Sequence, residues 1–275
     1  MNTLNAPEVK LTDGVKIPQL GFGVFKVPDN ETLQQALHTA VEAGYRSIDT
    51  AAVYGNEPGV GRFIRESGLP RSELFITTKL WNADQGYDRA LQAFDESLER
   101  LGLDYVDLYL IHWPGTEKFV ETWRAFEKIH ADGRARAIGV SNFMEHHLDT
   151  LMESCRIPPM IDQVELHPWL QQSALRKYCK EKGIVVEAWS PLARARFFDT
   201  PLINDLARKY DRSPAQICIR WQLQQGTVTI PKSVTPDRIR ENAQVFDFDL
   251  SEDDMQAIRR LDEGRRIGPH PDEFF

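Results

Sequence analysis

Residues 106–114 read VDLYLIHWP. Apart from Asp107, residues 106–111 are apolar, as a strand of a parallel sheet covered on both faces should be. The run then stops on His112, Trp113 and Pro114. A core strand has little reason to end in histidine, so this stretch poses a question of fold and of function together.

Seven more runs of the same kind occur along the chain: QLGFGVF (19–25), RSIDTA (46–51), LFITTKL (74–80), RAIGVSN (136–142), MIDQVEL (160–166), IVVEAWS (184–190) and VTIPKS (228–233). A hairpin, VKLTDGVKIP, precedes them and turns at Asp13-Gly14. Stretches with helical spacing lie between the runs. In residues 31–44, Leu33, Ala36, Leu37, Ala40 and Val41 share a face and Gly44 is a stop. In 87–103, Ala90, Leu91, Phe94, Leu98 and Leu101 do the same. Ser213-Pro214, Thr235-Pro236 and Ser251 with Asp254 three residues on read as helix starts.

Eight strands with helices between them predict a closed (β/α)8 barrel, an α/β fold. The rival, an open doubly wound sheet, normally carries G-x-G-x-x-G after its first strand. Here GFGVF lies inside the first run and lacks the third glycine.

The 275 residues fit one large domain, and the net charge of −8 makes a poor generic nucleic-acid binder. No apolar run is long enough to span a bilayer, and the polar start MNTLNAPEVKLTDG has no secretory apolar segment. Cys155, Cys179 and Cys218 are widely spaced, form no Cys-x-x-Cys pair and suggest a reducing compartment, hence the cytoplasm.

In such a barrel the active site forms where strands end and the following loops begin. Asp49 ends the second run, with Tyr54 in its loop. Lys79 ends the third and His112 the fourth. Ser141 and Asn142 end the fifth, Gln163 and Glu165 sit in the sixth, Trp189 and Ser190 end the seventh, and Lys232 and Ser233 end the eighth. Any one of these alone is unremarkable; barrel closure would make them converge.

GYRSIDTAAVYGNE, LFITTKLWN, VDLYLIHWP, AIGVSNF, QVELHPWLQQ and IPKSV together resemble the successive signatures of the aldo-keto reductase family. The closing GPHPDEFF is similar to the bacterial branch that includes 2,5-diketo-D-gluconic acid reductases. The resemblance implies a (β/α)8 TIM barrel over residues 1–275 as one domain, with the N-terminal β-hairpin and two extra helices. It implies carbonyl reduction with a nicotinamide cofactor, in a monomer.

On that resemblance Tyr54 is the proton donor. Lys79 supplies a cation that lowers the phenol's pKa, and Asp49 is the counter-ion of Lys79. His112 orients the substrate oxygen. Ser141, Asn142 and Gln163 hold the carboxamide, and Trp189 stacks on its ring. Ser190 and Leu192 begin a loop around the pyrophosphate. That loop is often glycine-rich in the family but here reads ARARFFD, leaving Arg194 and Arg196 either phosphate clamps or solvated side chains. Lys232, Ser233, Val234, Arg238, Glu241 and Asn242 receive the adenosine end. A lysine, a hydroxyl and an arginine at a helix start favour NADPH over NADH. Phe22, Trp81 and Trp113, with Tyr54 and His112, wall the substrate pocket, and the C-terminal tail covers part of it.

The short segment PGTEKFVETW after the fourth strand leaves an open pocket for small aldehydes, dicarbonyls or a keto-sugar acid. A nicotinamide-binding regulatory or sensor protein is the alternative reading. A metal site is not expected: His146 and His147 are adjacent and point apart on a helix, His130 and His270 have no partners at ligand spacing, and Lys79 repels a cation between Asp49 and His112.

Overall fold

The computed structural model describes residues 6–115 and 118–274. Residues 1–5, 116–117 and 275, which include the start of the chain, part of the segment after the fourth strand and the last residue of the tail, lie outside the described residues. The N-terminal hairpin pairs β1 (Glu8–Lys10) with β2 (Lys16–Pro18), antiparallel, and Gly14 turns it in the left-handed region at φ +94°.

Eight strands follow in one parallel sheet: β3 (Phe22–Gly23), β4 (Ser47–Asp49), β5 (Phe75–Leu80), β6 (Val106–Ile111), β7 (Ala135–Ser141), β8 (Ile161–Glu165), β9 (Val185–Trp189) and β10 (Val228–Thr229). Their spatial order is their chain order. The ring closes between its ends: Gly21 N–H donates to Thr229 O (2.9 Å), Thr229 N–H to Gln19 O (3.0 Å) and Gly23 N–H to Pro231 O (3.2 Å). The first and last strands are shorter than the sequence runs. Pro231 has no N–H to continue the ladder, so β10 ends before Lys232 and Ser233.

The helices are α1 (Glu31–Glu42), α2 (Glu57–Glu66), α3 (Tyr87–Leu101), α4 (Phe119–Ala131), α5 (Glu145–Met152), α6 (Ser173–Lys182), α7 (Pro201–Tyr210), α8 (Pro214–Gln224), α9 (Pro236–Ala243) and α10 (Glu252–Arg259). One helix separates each pair of consecutive strands except β9 and β10, which are joined by α7 and α8; α9 and α10 follow β10. Eight complete the barrel repeat, and two are the extra helices expected. Ser213 and Gln216 form the reciprocal cap of α8, and the Ser251 hydroxyl accepts from Asp254 N–H at α10. Thr235 makes no such bond at α9; the Ser233 hydroxyl accepts its N–H instead, at 3.1 Å.

Alternation along the strands sorts side chains between two layers. On β6, Tyr109 points outward, stacked on Phe126 of α4 at 4.5 Å and beside Phe94 of α3 at 4.6 Å. On β5, Thr78 points outward to Glu57 of α2 (2.6 Å), which Arg100 of α3 also holds (2.6 Å). Its neighbour Lys79 therefore points into the barrel. The two layers share one extensive apolar core.

Helices α2 and α3 meet through Gly61, where an added Cβ would fall on the backbone carbonyl of Leu101. Backbone cannot rotate aside as a side chain can, so Gly61→Ala should destabilise the fold by about 1–3 kcal/mol through overpacking. A urea titration checks this; an unchanged midpoint would show that the two helices slide apart without cost.

Candidate active site

Asp49, at the end of β4, is 3% exposed, and Lys79 of β5 is fully buried. Lys79 Nζ donates to Asp49 Oδ1 at 2.6 Å, to Thr50 O at 2.9 Å and to the Tyr54 hydroxyl at 3.4 Å. Tyr54 is carried by a single 3₁₀ turn, Ala52–Tyr54, which closes on Gly55 at φ +69°. This turn aims the phenol back over the strand ends. His112 stands edge-on to Tyr54 at 5.6 Å and to Trp81 at 5.5 Å. The four residues read as a catalytic set therefore converge.

Their electrostatics correct one expectation. Burial pushes the Tyr54 hydroxyl above the usual phenol range; Lys79 pulls it back, Asp49 adds to the rise, and the net shift is upward. The cation is largely answered by its own carboxylate, so it offsets the desolvation of the phenol without reversing it. Burial also works against the charge of Lys79, but Asp49 and then Tyr54 outweigh it and raise its pKa. Burial, then Lys79, hold His112 well below the ordinary imidazole range. Lys79 is thus a cation, His112 is neutral and Tyr54 is a protonated phenol.

A second layer of polar groups is continuous with the first. Ser141 pairs with Gln163, and Gln163 with Glu187, across β7, β8 and β9. Gln163 Nε2 donates to Asp49 Oδ2 (2.8 Å) and to Glu187 Oε2 (2.7 Å), so its amide reaches across the barrel from β8 to β4. The Ser141 hydroxyl donates to Gln163 O at 2.7 Å. Asn142 lies in the left-handed region at φ +64°; its amide nitrogen donates to His112 O (2.9 Å) and its oxygen accepts from Trp189 Nε1 (2.8 Å). Sequence reasoning missed Glu187. The available signal was a carboxylate within the otherwise apolar IVVEAW.

The pocket wall needs a second correction. Phe22 is 1% exposed and packs edge-on to Tyr45, away from the mouth. Phe25, 48% exposed and 4.9 Å from the Tyr54 ring, occupies the expected place. Phe22 pairs in register with Ile48 and Gly23 with the inward-facing Asp49, so alternation sends Phe22 out toward the helices and puts Phe25, three residues on, on the opposite face. Trp81 and Trp113 do line the mouth, and Phe274 of the tail joins them at 6.0 and 4.5 Å.

The tail is fastened underneath by Glu165, which accepts from Ile267 N–H (2.6 Å) and Gly268 N–H (3.1 Å). Gly268 lies so close to Trp189 that a Cβ would meet the ring at 2.5 Å. Against expectation, His146 and His147 both reach one oxygen: their Nε2 atoms lie 3.1 and 3.4 Å from Asp272 Oδ1, and His270 faces the same carboxylate at 3.7 Å. The adjacent residues converge because Asp272 comes from the tail, beyond the reach of helix geometry. The His147 Nδ1 accepts from Met144 N–H at 3.1 Å, so its proton sits on Nε2 and donates to Asp272. A carboxylate at the N-terminus of α5 also suits the helix dipole better than a cation would. This cluster is a latch for the tail.

The remaining candidates lie apart from the reacting centre. Ser190 and Leu192 are half-buried at the start of a loop in which Ala193, Arg194 and Ala195 are all left-handed, at φ +43°, +54° and +63°. Such backbone costs roughly 1–2 kcal/mol per non-glycine residue. Arg194 and Arg196 are exposed, without ion pairs among the described residues. Lys232, Val234 and Arg238 are exposed, Ser233 and Glu241 half-buried and Asn242 buried, around the start of α9. Lys232 and Arg238 make no ion pair among the described residues. With Thr235 not capping, the first turn of α9 is left open to an anion.

The aldo/keto reductase family profile matches residues 19–263. The chain belongs to this family. A glyoxal reductase of Bacillus subtilis (strain 168) is 55% identical over 267 residues, 97% of each chain. An aldo-keto reductase from a Medee basin deep-sea metagenome library superimposes with a TM-score of 0.95 at 46% identity, covering 97% of this chain and 99% of that one. A Bombyx mori aldo-keto reductase, solved in complex with NADP, gives a TM-score of 0.90 at 38% identity, covering 97% and 96%.

Unfolding this aldo-keto reductase returns His112 to the ordinary imidazole pKa of about 6.5. Below that pH the unfolded chain binds a proton that the folded chain refuses. The stability that His112 contributes is therefore full above about pH 6.5 and falls as pH drops, by at most ~1.4 kcal/mol per unit. His147, held down at about 4 chiefly by burial, adds a second such slope. Burial raises the carboxyls of Asp162 and Glu187, which stay protonated in the folded chain and oppose this slope over the same range, so His112→Asn should leave the protein more stable at pH 5 relative to pH 6.5 than the wild type is, measured by urea titration at each pH. An unchanged loss would place the proton uptake elsewhere.

Proposed function

We propose that the chain is an NADPH-dependent reductase of small aldehydes and dicarbonyls, with Tyr54 as its proton donor. One observation carries this reading: the Lys79 ammonium stands 2.6 Å from Asp49 and 3.4 Å from the Tyr54 hydroxyl, beside a neutral His112. When bound, NADPH supplies the hydride that the carbonyl carbon needs. The chain's own residues handle the oxygen. Tyr54 gives it a proton. Lys79 limits the cost of the phenolate left behind, and Asp49 keeps Lys79 charged and in place. His112 offers a neutral imidazole N–H to orient the carbonyl.

Ser141, Asn142, Gln163 and Trp189 are gathered at one side of this centre to hold the nicotinamide, with Ser190 and Leu192 leading toward the pyrophosphate. Lys232, Ser233, Val234, Arg238, Glu241 and Asn242 would take the adenosine end. The open first turn of α9 and the two unpaired cations beside it support a 2′-phosphate there. The named complex of the Bombyx mori relative with NADP supports the same choice.

For the substrate, the walls are Phe25, Trp81, Trp113 and Phe274, all uncharged, and Lys79 is already paired. No unpaired cation among these residues would receive the carboxylate of a keto-sugar acid, so small uncharged carbonyls are favoured. The glyoxal reductase relative supports that class. Three free thiols, two of them buried, support a reducing compartment such as the cytoplasm.

Tyr54→Phe keeps the ring and removes the donor. NADPH should still bind, while methylglyoxal reduction falls at least ~10²-fold; near-normal turnover would overturn the assignment. Lys232→Gly and Arg238→His should each weaken NADPH by about 10- to 100-fold and NADH much less. Fluorescence titration of both cofactors at two salt concentrations checks this, and equal losses would remove the basis for an NADPH preference.

A further inference from the structure

Glu187 has no place in the reading so far, yet it is 1% exposed, inside the barrel, among the groups that matter. A carboxyl group in a dry strand is costly unless it is bonded. Its bond is to Gln163 Nε2, at 2.7 Å, and the same nitrogen donates to Asp49 Oδ2 at 2.8 Å. Asp49 and Gln163 are themselves 3% and 2% exposed, so little water competes.

A side-chain amide nitrogen carries two hydrogens. Here both are committed, one to each carboxyl group. The opposite orientation would set the amide oxygen against Asp49 and Glu187 together. Protonation of Glu187 could relieve one of those contacts, but Asp49 faces Lys79 as its counter-ion and would still reject an oxygen. The amide is therefore oriented by charge. Only its oxygen, Oε1, is left to receive a donor from elsewhere. Because Gln163 and Glu187 are register partners on neighbouring strands, they present their side chains to the same face of the sheet, and the contact needs no loop to hold it. Glu187 also feels every other ionised group nearby: burial and Asp49 push its carboxyl up from the ordinary range, while Gln163 and Lys79 oppose the shift.

We propose that Glu187 is a positioning residue that, with Asp49, turns the Gln163 nitrogen into the barrel and so presents Gln163 Oε1 as an acceptor for the carboxamide N–H of the nicotinamide. This rests on the cofactor reading given above. Without Glu187, one amide hydrogen loses its partner: Asp49 still holds the nitrogen, but by one bond in place of two, so the amide plane can turn about that bond and Oε1 is no longer fixed toward the ligand. The result is a loss of discrimination between ligands that can donate at this point and ligands that cannot.

The test uses a cofactor in which only that donor is changed. The 3-acetylpyridine analogue of NADP+ carries a methyl ketone where nicotinamide carries an amide. Dissociation constants for NADP+ and the analogue are measured by fluorescence quenching for the wild type, Glu187→Ala, Glu187→Met and Glu187→Gln. Met fills the space of Glu without accepting a hydrogen bond, so it carries the test if Ala fails to fold. The wild type should prefer NADP+ by about tenfold, the worth of one hydrogen bond. Ala and Met should bring the two constants within about twofold of each other, by weakening NADP+ and sparing the analogue. Gln, whose side-chain oxygen still accepts from Gln163, should restore the preference. Equal weakening of both ligands by Ala and Met, or an undiminished preference in either, would overturn the role of Glu187. Failure of the wild type to bind NADP+ at all would instead overturn the cofactor reading on which it rests.

Discussion

The architecture of the site depends on one buried ion pair. Lys79 has no exposed surface, and its charge is held by Asp49, the Thr50 carbonyl and the Tyr54 hydroxyl. A lone ammonium at that depth would lose its proton rather than remain an ion. The carboxylate must therefore come from an adjacent strand, on the same face and at the right height. Parallel pairing of β4 with β5 does this: Asp49 is opposite Thr77, and Lys79 lies two residues further along the same inward-facing row. A shift of either strand by one residue would turn one partner out toward the helices.

From that pair the constraint spreads through Gln163. Its amide nitrogen ties β8 to β4, strands that lie well apart in the sheet order. Such a bond is possible only because the sheet curls and closes through the contacts of Gln19, Gly21 and Gly23 with Thr229 and Pro231. Closure thus does more than remove sheet edges. It brings a carboxylate, an amide and a second carboxyl group from three strands into one hydrogen-bonded chain beneath the phenol. Networks of this kind are costly when half made, and the dense apolar packing outside the barrel is what holds the strands to the required register.

Much of this was legible in the sequence because it rests on local pattern. The eight apolar runs, the polar residues at or near the ends of the second to eighth and the proline-led helix starts are short-range signals, and they put Asp49, Lys79 and Gln163 on strands of one barrel. What could not be read depended on contacts distant along the chain. Phe22 and Phe25 are three residues apart and so lie on opposite faces, but nothing in QLGFGVF says which face looks into the barrel; the pairing of Gly23 with Asp49 decides it. Asp272 joins His146 and His147 from more than a hundred residues away, so helix geometry alone separated two rings that a tail brings together. The pKa of Tyr54 failed as an expectation for a related reason. Proximity of a lysine was foreseeable, but the degree of burial that outweighs it is set by the whole barrel mouth. Helix α2 was also hard to see, since EPGVGRFIRE contains proline and two glycines, poor helix formers; Gly61 is there for the close approach to Leu101.

The tail shows how a segment with no regular structure beyond one short turn can still be fixed. Glu165 takes two of its backbone N–H groups, Asp272 takes the imidazoles of α5, and Phe274 ends against Trp81 and Trp113. At the first of these anchors Gly268 lies close against the ring of Trp189, whose indole N–H is in turn bonded to Asn142. The same eight-residue stretch therefore bears on the aromatic wall of the mouth at one end and on the indole beside Asn142 at the other. Because Asn142 also donates to the carbonyl of His112, a chain of contacts runs from the tail through Trp189 and Asn142 to the residues gathered around Lys79. The aromatic wall and the buried polar centre are thus joined by direct contacts, with the C-terminal residues bearing on both.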